Sequence, residues 1–242
     1  MALEFEHRDA EIEIVDRVWR SRSDAEQTMT SAARTCWHLI VWRESGVLLA
    51  GLRGPETKAT TAPVADETEF LGIRFALGTV LRPIPVCTIV DGFAPLPVTE
   101  SGRIIIGGDD WEAPAYDNVE AFVRRLQRAG LLARARLGDE DHEVRECADD
   151  SPTVRTLQRR YRAITALSRT AVQQIDRANA AATMLRDGHD WRTVTDRLDY
   201  FDQAHLGHAL RRYIGQTAGE LQADDRPDSM SFLYKSGSGS GS

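Results

Sequence analysis

The chain has 242 residues, of which 42% are apolar and 28% charged, and its formal net charge is −7 at pH 7. This composition is typical of a globular protein with one large or two ordinary cores. The acidic balance excludes a protein that coats nucleic acid indiscriminately. No run of 18 apolar residues is present, so the sequence predicts no membrane span.

Charge is unevenly distributed along the chain. Residues 1–150 carry 17 basic and 27 acidic side chains, whereas residues 151–222 carry eleven arginines, no lysine and seven acids. A basic C-terminal part behind an acidic N-terminal part indicates that only the C-terminal part meets phosphate. Arginine without lysine favours forked contacts to phosphate and guanine.

The three cysteines, Cys36, Cys87 and Cys147, are far apart and form no CxxC pair. Such a sparse, odd set indicates a reducing compartment without a disulfide framework. The acidic N-terminus lacks the basic-then-apolar order of a signal peptide, so we expect a cytoplasmic protein. The final SGSGSGS, residues 236–242, resembles an artificial linker or tag and is excluded from the fold.

Short β-rich segments dominate residues 1–136. Ile12, Ile14 and Val15 are predicted to form the first strand, with a mobile Ser/Arg/Asp stretch behind it. Further runs include WHLIVW, GVLLAGL, EFLGIRFAL and RIIIGG, separated by Gly- and Pro-rich segments. This pattern predicts an antiparallel sheet rolled into a barrel or sandwich.

A small barrel can hold one ligand among its inward side chains. Four large side chains are candidate pocket residues, although a barrel core needs large residues as well: Trp37, Trp42, Arg74 and Trp111.

The pattern changes at Asp117 and Asn118, either of which can cap a helix. The following VEAFVRRLQRAGLLARA predicts an interdomain helix at about 118–134, packed on the barrel or on its copy in a second subunit. Residues 137–150 are charged and nearly devoid of large apolar side chains, which indicates a linker and a domain boundary.

Residues 151–235 have the periodicity of helices. A long helix is predicted from the cap at Ser168 to Gly188, with a core stripe of Val172, Ile175, Ala178, Ala182 and Leu185. Two short helices follow, the first with Asp190 as its expected N-cap and the second ending at Gly215, and their spacing is typical of a helix-turn-helix.

An earlier helix is predicted in SPTVRTLQRRYRAI, at the start of this region. The second short helix repeats it at a constant offset of 49 residues, which pairs Leu157 with Leu206 and Arg162 with Arg211. A single helical hairpin would carry little information, because any such hairpin has one apolar and one polar face. A repeated polar face favours two recognition helices, which can enter successive major grooves about 34 Å apart.

Polar side chains on the outer faces of these two helices are candidate DNA contacts. Arginine can pair with guanine O6 and N7, and glutamine with adenine N6 and N7. The alternative for each is an ordinary solvated residue. The candidates are Arg155, Gln158, Arg159 and Arg162 in the first helix, and Gln203, His205, His208, Arg211 and Arg212 in the second. In the second helix, Arg211 or Arg212 is expected to contact phosphate rather than a base.

Residues 151–221 resemble the DNA-binding domain of the AraC family of bacterial transcription regulators, through TLQRRYRAITALS and YFDQAHLGHALRRYIGQTAGEL. RGPET, LGIRFALGT and IVDGFAPLP are similar to the cupin-like β-barrel that precedes this domain in a subset of the family. The resemblance implies an α+β protein with an effector-sensing or dimerising barrel over 1–136 and a seven-helix reader over 151–235. The implied partners are double-stranded DNA, RNA polymerase, a small-molecule effector and a second subunit.

Some positions depart from the family pattern. Asp199 and Ala166 replace usual glycines, Ala218 replaces a usual proline, and His208 stands where arginine is common. Residues 137–150 lack the apolar pattern of a supporting helix for the first unit. Specificity is therefore expected to rely on the second unit or on a dimer partner.

Enzymatic signatures are missing from the sequence. The histidines show no HxH or HExxH spacing, and no GxSxG, P-loop or GxGxxG occurs, so we expect no catalytic residue, metal or cofactor. Cys36 near His38 is better explained as a buried cysteine, because nothing completes a nucleophilic site. Two alternatives to a DNA-binding regulator stay open: a protein-interaction adaptor of the same fold and a cupin-like barrel enzyme.

Overall fold

The computed structural model describes residues 4–137, 154–223 and 230–231, which form a mixed α and β structure. The strands are β1 Glu4–Arg8, β2 Val15–Ser23, β3 Gln27–Ser31, β4 His38–Glu44, β5 Val47–Arg53, β6 Thr60–Val64, β7 Thr68–Phe75, β8 Thr79–Leu81, β9 Phe93–Leu96, β10 Arg103–Ile106, β11 Asp109–Glu112, β12 Leu132–Arg134 and β13 Met230–Ser231. The helices are α1 Val119–Arg128, α2 Val154–Thr165, α3 Arg169–Arg186, α4 Trp191–Arg197, α5 Gln203–Tyr213 and α6 Ala218–Gln222.

The main sheet has six antiparallel strands in the order β1-β2-β7-β4-β5-β9. The prediction of an antiparallel sheet is confirmed, but the predicted closed barrel is wrong for the residues that the structure describes. The sheet ends at β1 and β9, which do not pair with each other. Three smaller sheets form separately instead of extending it: β10 with β11, β8 with β12, and β3 between β6 and β13.

Alternation along the strands gives the main sheet two different faces. Val18, Ile73 and Leu39 lie in register across three strands and are buried in the core that includes α1. The next row contains Gly72, where a β-carbon would lie 1.8 Å from the Trp19 indole. A glycine is required there because the indole lies directly on the backbone of β7.

The first long strand lies further along the chain than predicted. Ile12 and Ile14 precede β2, and the Ser- and Arg-rich part of the stretch predicted to be mobile forms the end of β2. Its charged side chains make cross-strand ion pairs. Arg20 donates to Glu6 at 2.5 Å, and Arg22 donates to Glu69 at 3.2 Å. These pairs explain how a polar sequence occupies a strand.

The predicted helix at 118–134 is shorter in the structure. Helix α1 ends at Arg128, Gly130 adopts φ +72°, and Leu132–Arg134 then pair with β8. The left-handed glycine ends the helix and turns the chain back toward the sheet. The buried side of α1 is formed by Val119, Phe122, Val123 and Leu126, which pack on the main sheet.

Glu120 in the first turn of α1 is bound by Arg8 from β1. The Arg8 guanidinium donates to both carboxylate oxygens, at 2.5 and 2.9 Å, and these hydrogen bonds lower the pKa of Glu120. Because the pKa is lower in the folded state, the stability from this pair is present above about pH 4.5 and is lost as the pH falls below that value.

We expect Glu120→Gln to lower the free energy of unfolding by about 1–2 kcal/mol at pH 7, and to flatten its decline between pH 5 and 3. Urea unfolding across this pH range measures both effects. Glu6→Gln is the control, because its pair with Arg20 is exposed to solvent. Equal losses in the two variants would contradict the prediction.

The long helix is confirmed by α3. The Ser168 hydroxyl accepts a hydrogen bond from the amide of Ala171, Gly188 adopts φ +89°, and all five residues of the predicted stripe are buried. Helix α3 contacts α2, α4, α5 and α6, so it is the common support of the C-terminal part. Five helices are described over 154–223, where the family resemblance implies seven in the whole domain.

Two apolar cores are present. One surrounds the main sheet and α1, and the other surrounds α3. Ala32 and Ala33 belong to the second core, although they lie in the N-terminal part of the sequence. The residues 138–150 of the predicted linker, and the final 236–242, lie outside the described residues. Among the helices described, none is long and apolar enough to cross a membrane.

Candidate nucleic-acid interface

Helices α4 and α5 are joined by a turn over residues 198–202, and both have side-chain caps. The Asp190 carboxylate accepts from the amides of Arg192 and Thr193, at 2.8 and 3.0 Å, as predicted. The Asp202 carboxylate accepts from the amide of His205 at 2.7 Å. These caps satisfy amide groups that a helix leaves without partners, so both helix starts are fixed locally.

The inner side of α5 is formed by Leu206, Leu210 and Tyr213, which are buried in the α3 core. The Tyr213 hydroxyl also donates to Gln174 of α3 at 2.9 Å. At its C-terminal end, α5 is held by the N-terminal part. The carbonyls of Arg212 and Tyr213 accept from the amides of Ala59 and Ala33, at 2.8 and 2.6 Å. The orientation of α5 is therefore fixed from two sides.

The five candidate residues of α5 are exposed. With 3.6 residues per turn, His208, Arg211 and Arg212 lie opposite the buried stripe, and Gln203 lies in the first turn. His205 is partly structural, because its Nδ1 accepts from the amide of Phe201 at 3.3 Å and its ring packs edge-on against Tyr200. The outer side of α5 thus presents an imidazole and two guanidinium groups to solvent.

The four candidate residues of α2, Arg155, Gln158, Arg159 and Arg162, are also exposed. Helix α2 contacts α3 on one side and, on another, β8 and a short 3-10 turn at Val86–Thr88. Within the described residues, its support therefore comes partly from the β-rich region. This contact supports α2, whereas the sequence of residues 137–150 lacks the apolar pattern of a supporting helix.

Ala166 and Asp199, where the resemblance leads us to expect glycine, both have left-handed backbones, with φ of +64° and +53°. Alanine has a β-carbon that is strained in this region, whereas aspartate tolerates it better. The backbone at both positions is thus the one that glycine favours, and only Ala166 carries a substantial strain.

We expect Ala166→Gly to raise the free energy of unfolding by about 0.5–1 kcal/mol, because release of the left-handed strain exceeds the entropy cost of glycine. Urea unfolding measures the change. Ala163→Gly, three residues earlier within α2, is the matched control and should lower stability by about 1 kcal/mol. A loss of stability in both variants would contradict the prediction.

The four candidate ligand residues do not converge on one cavity. Trp37 stacks on Phe75 at 4.0 Å and its indole donates to the Thr79 carbonyl, so it belongs to the core. Trp111 packs against the same core. Trp42 lines an open cleft of about 810 Å³, and Arg74 lines a different cavity of about 680 Å³.

Cys36 and His38 do not share a cavity either. Cys36 lies beside Arg74, whereas His38 begins β4 and lines a separate space of about 90 Å³. Burial raises the pKa of the Cys36 thiol to about 11, which disfavours the thiolate needed for nucleophilic attack. Among the residues described, no group of three or more His, Cys, Asp or Glu side chains is arranged to hold a metal ion.

Two features of the structure are not indicated by the sequence. Phe201, immediately before the cap of α5, is 91% exposed. Arg34 is buried and lines the same cavity as Arg74. Exposure of an aromatic side chain and burial of a charged one both oppose the usual pattern, so neither could be read from residue type.

Comparison with known proteins returned no match to a family model, to a curated protein or to a solved structure.

Proposed function

We propose that this protein is a sequence-specific DNA-binding transcription regulator in which α5 is the principal recognition helix. The observation that carries this proposal is the outer side of α5, where His208, Arg211 and Arg212 lie opposite a buried apolar stripe. A braced helix with a polar and basic outer side suits the DNA major groove. The β-rich region then has the role of effector sensing or dimerisation.

The charge of the side chains within α5 and α2 supports the same conclusion. Neither helix contains an aspartate or glutamate, although the whole chain is acidic. Carboxylates on these helices would repel phosphate, so their exclusion favours contact with a polyanion. Gln203 and Gln158 add side chains that can read base edges.

Selection of bound duplexes from a random pool with the full-length protein tests this proposal. We expect a recurring sequence motif, and an affinity for the selected duplex that falls steeply with salt. The log–log slope should be about −0.9 for each phosphate contacted. Failure to retain any duplex at low salt would contradict DNA binding.

A protein-interaction adaptor is the second candidate, and the exposed Phe201 favours it. Large apolar side chains at the surface can mark protein contacts, and this one lies at the start of α5. The two functions differ in their response to Phe201→Ser. An adaptor should lose its partner, whereas a DNA reader should keep the salt dependence set by its arginines.

A further inference from the structure

A cavity of about 680 Å³, open to solvent on one side, lies where the N-terminal part meets α3. This volume is typical of small-molecule sites, which span about 300–1,000 Å³. The N-terminal part contributes Arg17, Arg34 and Arg74, and α3 contributes Asp176, Asn179 and Met184. The cavity therefore depends on both parts of the chain being in place.

Positive charge predominates in the wall from the N-terminal part. Three guanidinium groups line the cavity, and Arg34 and Arg74 are only 6% and 8% exposed. The carboxylates that line it are Asp16, which pairs with Arg74, and Asp176. Arg17 pairs at 3.1 Å with Asp9, whose side chain is 85% exposed and so only weakly offsets the charge.

Electrostatics within this cluster favour an added negative charge. Burial lowers the pKa of Arg34 to about 9, and the positive charge of Arg74 acts in the same direction. Desolvation also raises the pKa of Asp176, whose side chain lies on the exposed side of the cavity. An anion placed between these guanidinium groups would relieve their mutual repulsion.

The remaining wall is largely apolar. It includes Ala33, Ala76, Leu77, Ala180 and Met184. An apolar wall facing buried guanidinium groups suits a molecule with one charged end and an apolar body. The lining carries three arginines and two aspartates, and Asp9 and Glu56 act on Arg17 and Arg34 from outside it. The site therefore suits a ligand with no more than one negative charge.

The cavity wall is continuous with the support of α5. Ala33 donates its amide to the Tyr213 carbonyl at the end of α5, and its own carbonyl accepts from Asn179 of α3 at 3.1 Å. Thr35 donates to Asp176 at 3.5 Å. A molecule that moves Ala33 or Thr35 would therefore alter the hydrogen bonds that orient α5.

We propose that this cavity binds a small organic carboxylate with an apolar body, the carboxylate between Arg34 and Arg74 and the body against Ala180 and Met184. Control of DNA affinity by this ligand rests on the function proposed above, whereas ligand binding itself does not.

Calorimetric titration of the full-length protein, without DNA, tests the site with matched probes. Phenylacetate and 3-phenylpropanoate are compared with their neutral amides and with inorganic phosphate. We expect the acids to bind at least ten-fold more tightly than the amides and than phosphate. Binding by neither acid, or equal binding by acids and amides, would overturn the proposal, as would phosphate binding as tightly as the acids.

Two variants locate the site. Arg34→Met removes the buried charge, and Ala180→Trp adds an indole to the α3 side of the cavity lining without changing charge. Both should abolish acid binding, and Ala163→Trp, on the exposed side of α2, should retain it. Circular dichroism checks that each variant folds. If Arg34→Met does not fold, the result for Ala180→Trp tests the site. Retained binding in Ala180→Trp would overturn the assignment.

A DNA-contact variant separates this proposal from the previous one. Arg211→Gln with Arg212→Gln should bind the acids as the unmodified protein does, whatever happens to DNA. Acid binding without any DNA binding would contradict the proposed function but support the ligand site. DNA binding without acid binding would support the proposed function but contradict the ligand site.

Discussion

Replacing Leu210 with alanine is expected to lower the free energy of unfolding by about 2–5 kcal/mol. Leu210 is fully buried in the α3 core, and it lies one turn before the carbonyls that bind Ala33 and Ala59. A cavity there would loosen α5 against both of its supports. The effect should exceed that of the other substitutions proposed for stability.

Urea unfolding followed by circular dichroism measures the loss. Val47→Ala is the control, because Val47 is 59% exposed and its truncation should change stability by less than about 0.5 kcal/mol. Leu210→Ala should also weaken the proposed DNA binding at temperatures where it remains folded, since α5 is less rigidly oriented. A Leu210→Ala protein as stable as Val47→Ala would show that α5 does not pack on α3 as described.

The second large effect concerns phosphate contacts. Arg211→Gln combined with Arg212→Gln should reduce the magnitude of the log–log salt slope by about 1.8, because each lost phosphate contact removes about 0.9. Affinity should fall similarly for selected and unrelated duplexes, since phosphate carries no sequence information. Titrations at several salt concentrations, with both kinds of duplex, measure the slope and the discrimination.

Arg124→Gln with Arg128→Gln is the matched control. These two exposed arginines lie on α1, and their removal changes net charge by the same amount. The control should leave the slope nearly unchanged. Equal effects of the two double variants would mean that overall charge, and not the outer side of α5, governs DNA binding.

The helical part of the chain was largely predictable from its sequence. The start and core stripe of α3, the cap of α4 and the end of α5 at Gly215 all depend on residues within a few positions of one another. Caps and the 3.6-residue period are local properties, so one sequence contains them. The outward orientation of the polar side chains of α5 follows from the same period.

The β-rich part was predicted less well, because its arrangement depends on distant pairs. Short strands were recognised, but closure into a barrel requires the first and last strands to meet, which no local pattern specifies. Strand β2 was misplaced since its polar side chains are satisfied by partners such as Glu69, 47 residues away from Arg22. The ion pairs became visible only in three dimensions.

The cavity at α3 could not be anticipated at all. Its hydrogen bond between Thr35 and Asp176 joins residues 141 positions apart. Among the arginines that line it, the sequence indicates Arg74 as a candidate ligand residue but not Arg17 or Arg34. A charged side chain becomes buried through the packing of several elements, so the presence of an arginine in the sequence does not indicate whether it is buried.

Ala32 and Ala33 also constrain how this protein can be divided or recombined. A hybrid made by joining the segment that follows residue 153 to a foreign domain would expose the part of the α3 core that these alanines cover. It would also leave the carbonyls of Arg212 and Tyr213 without their amide donors. A transplantable form of the helical part should therefore also include the segments around Ala33 and Ala59. The helical part is modular in sequence but not in its folding.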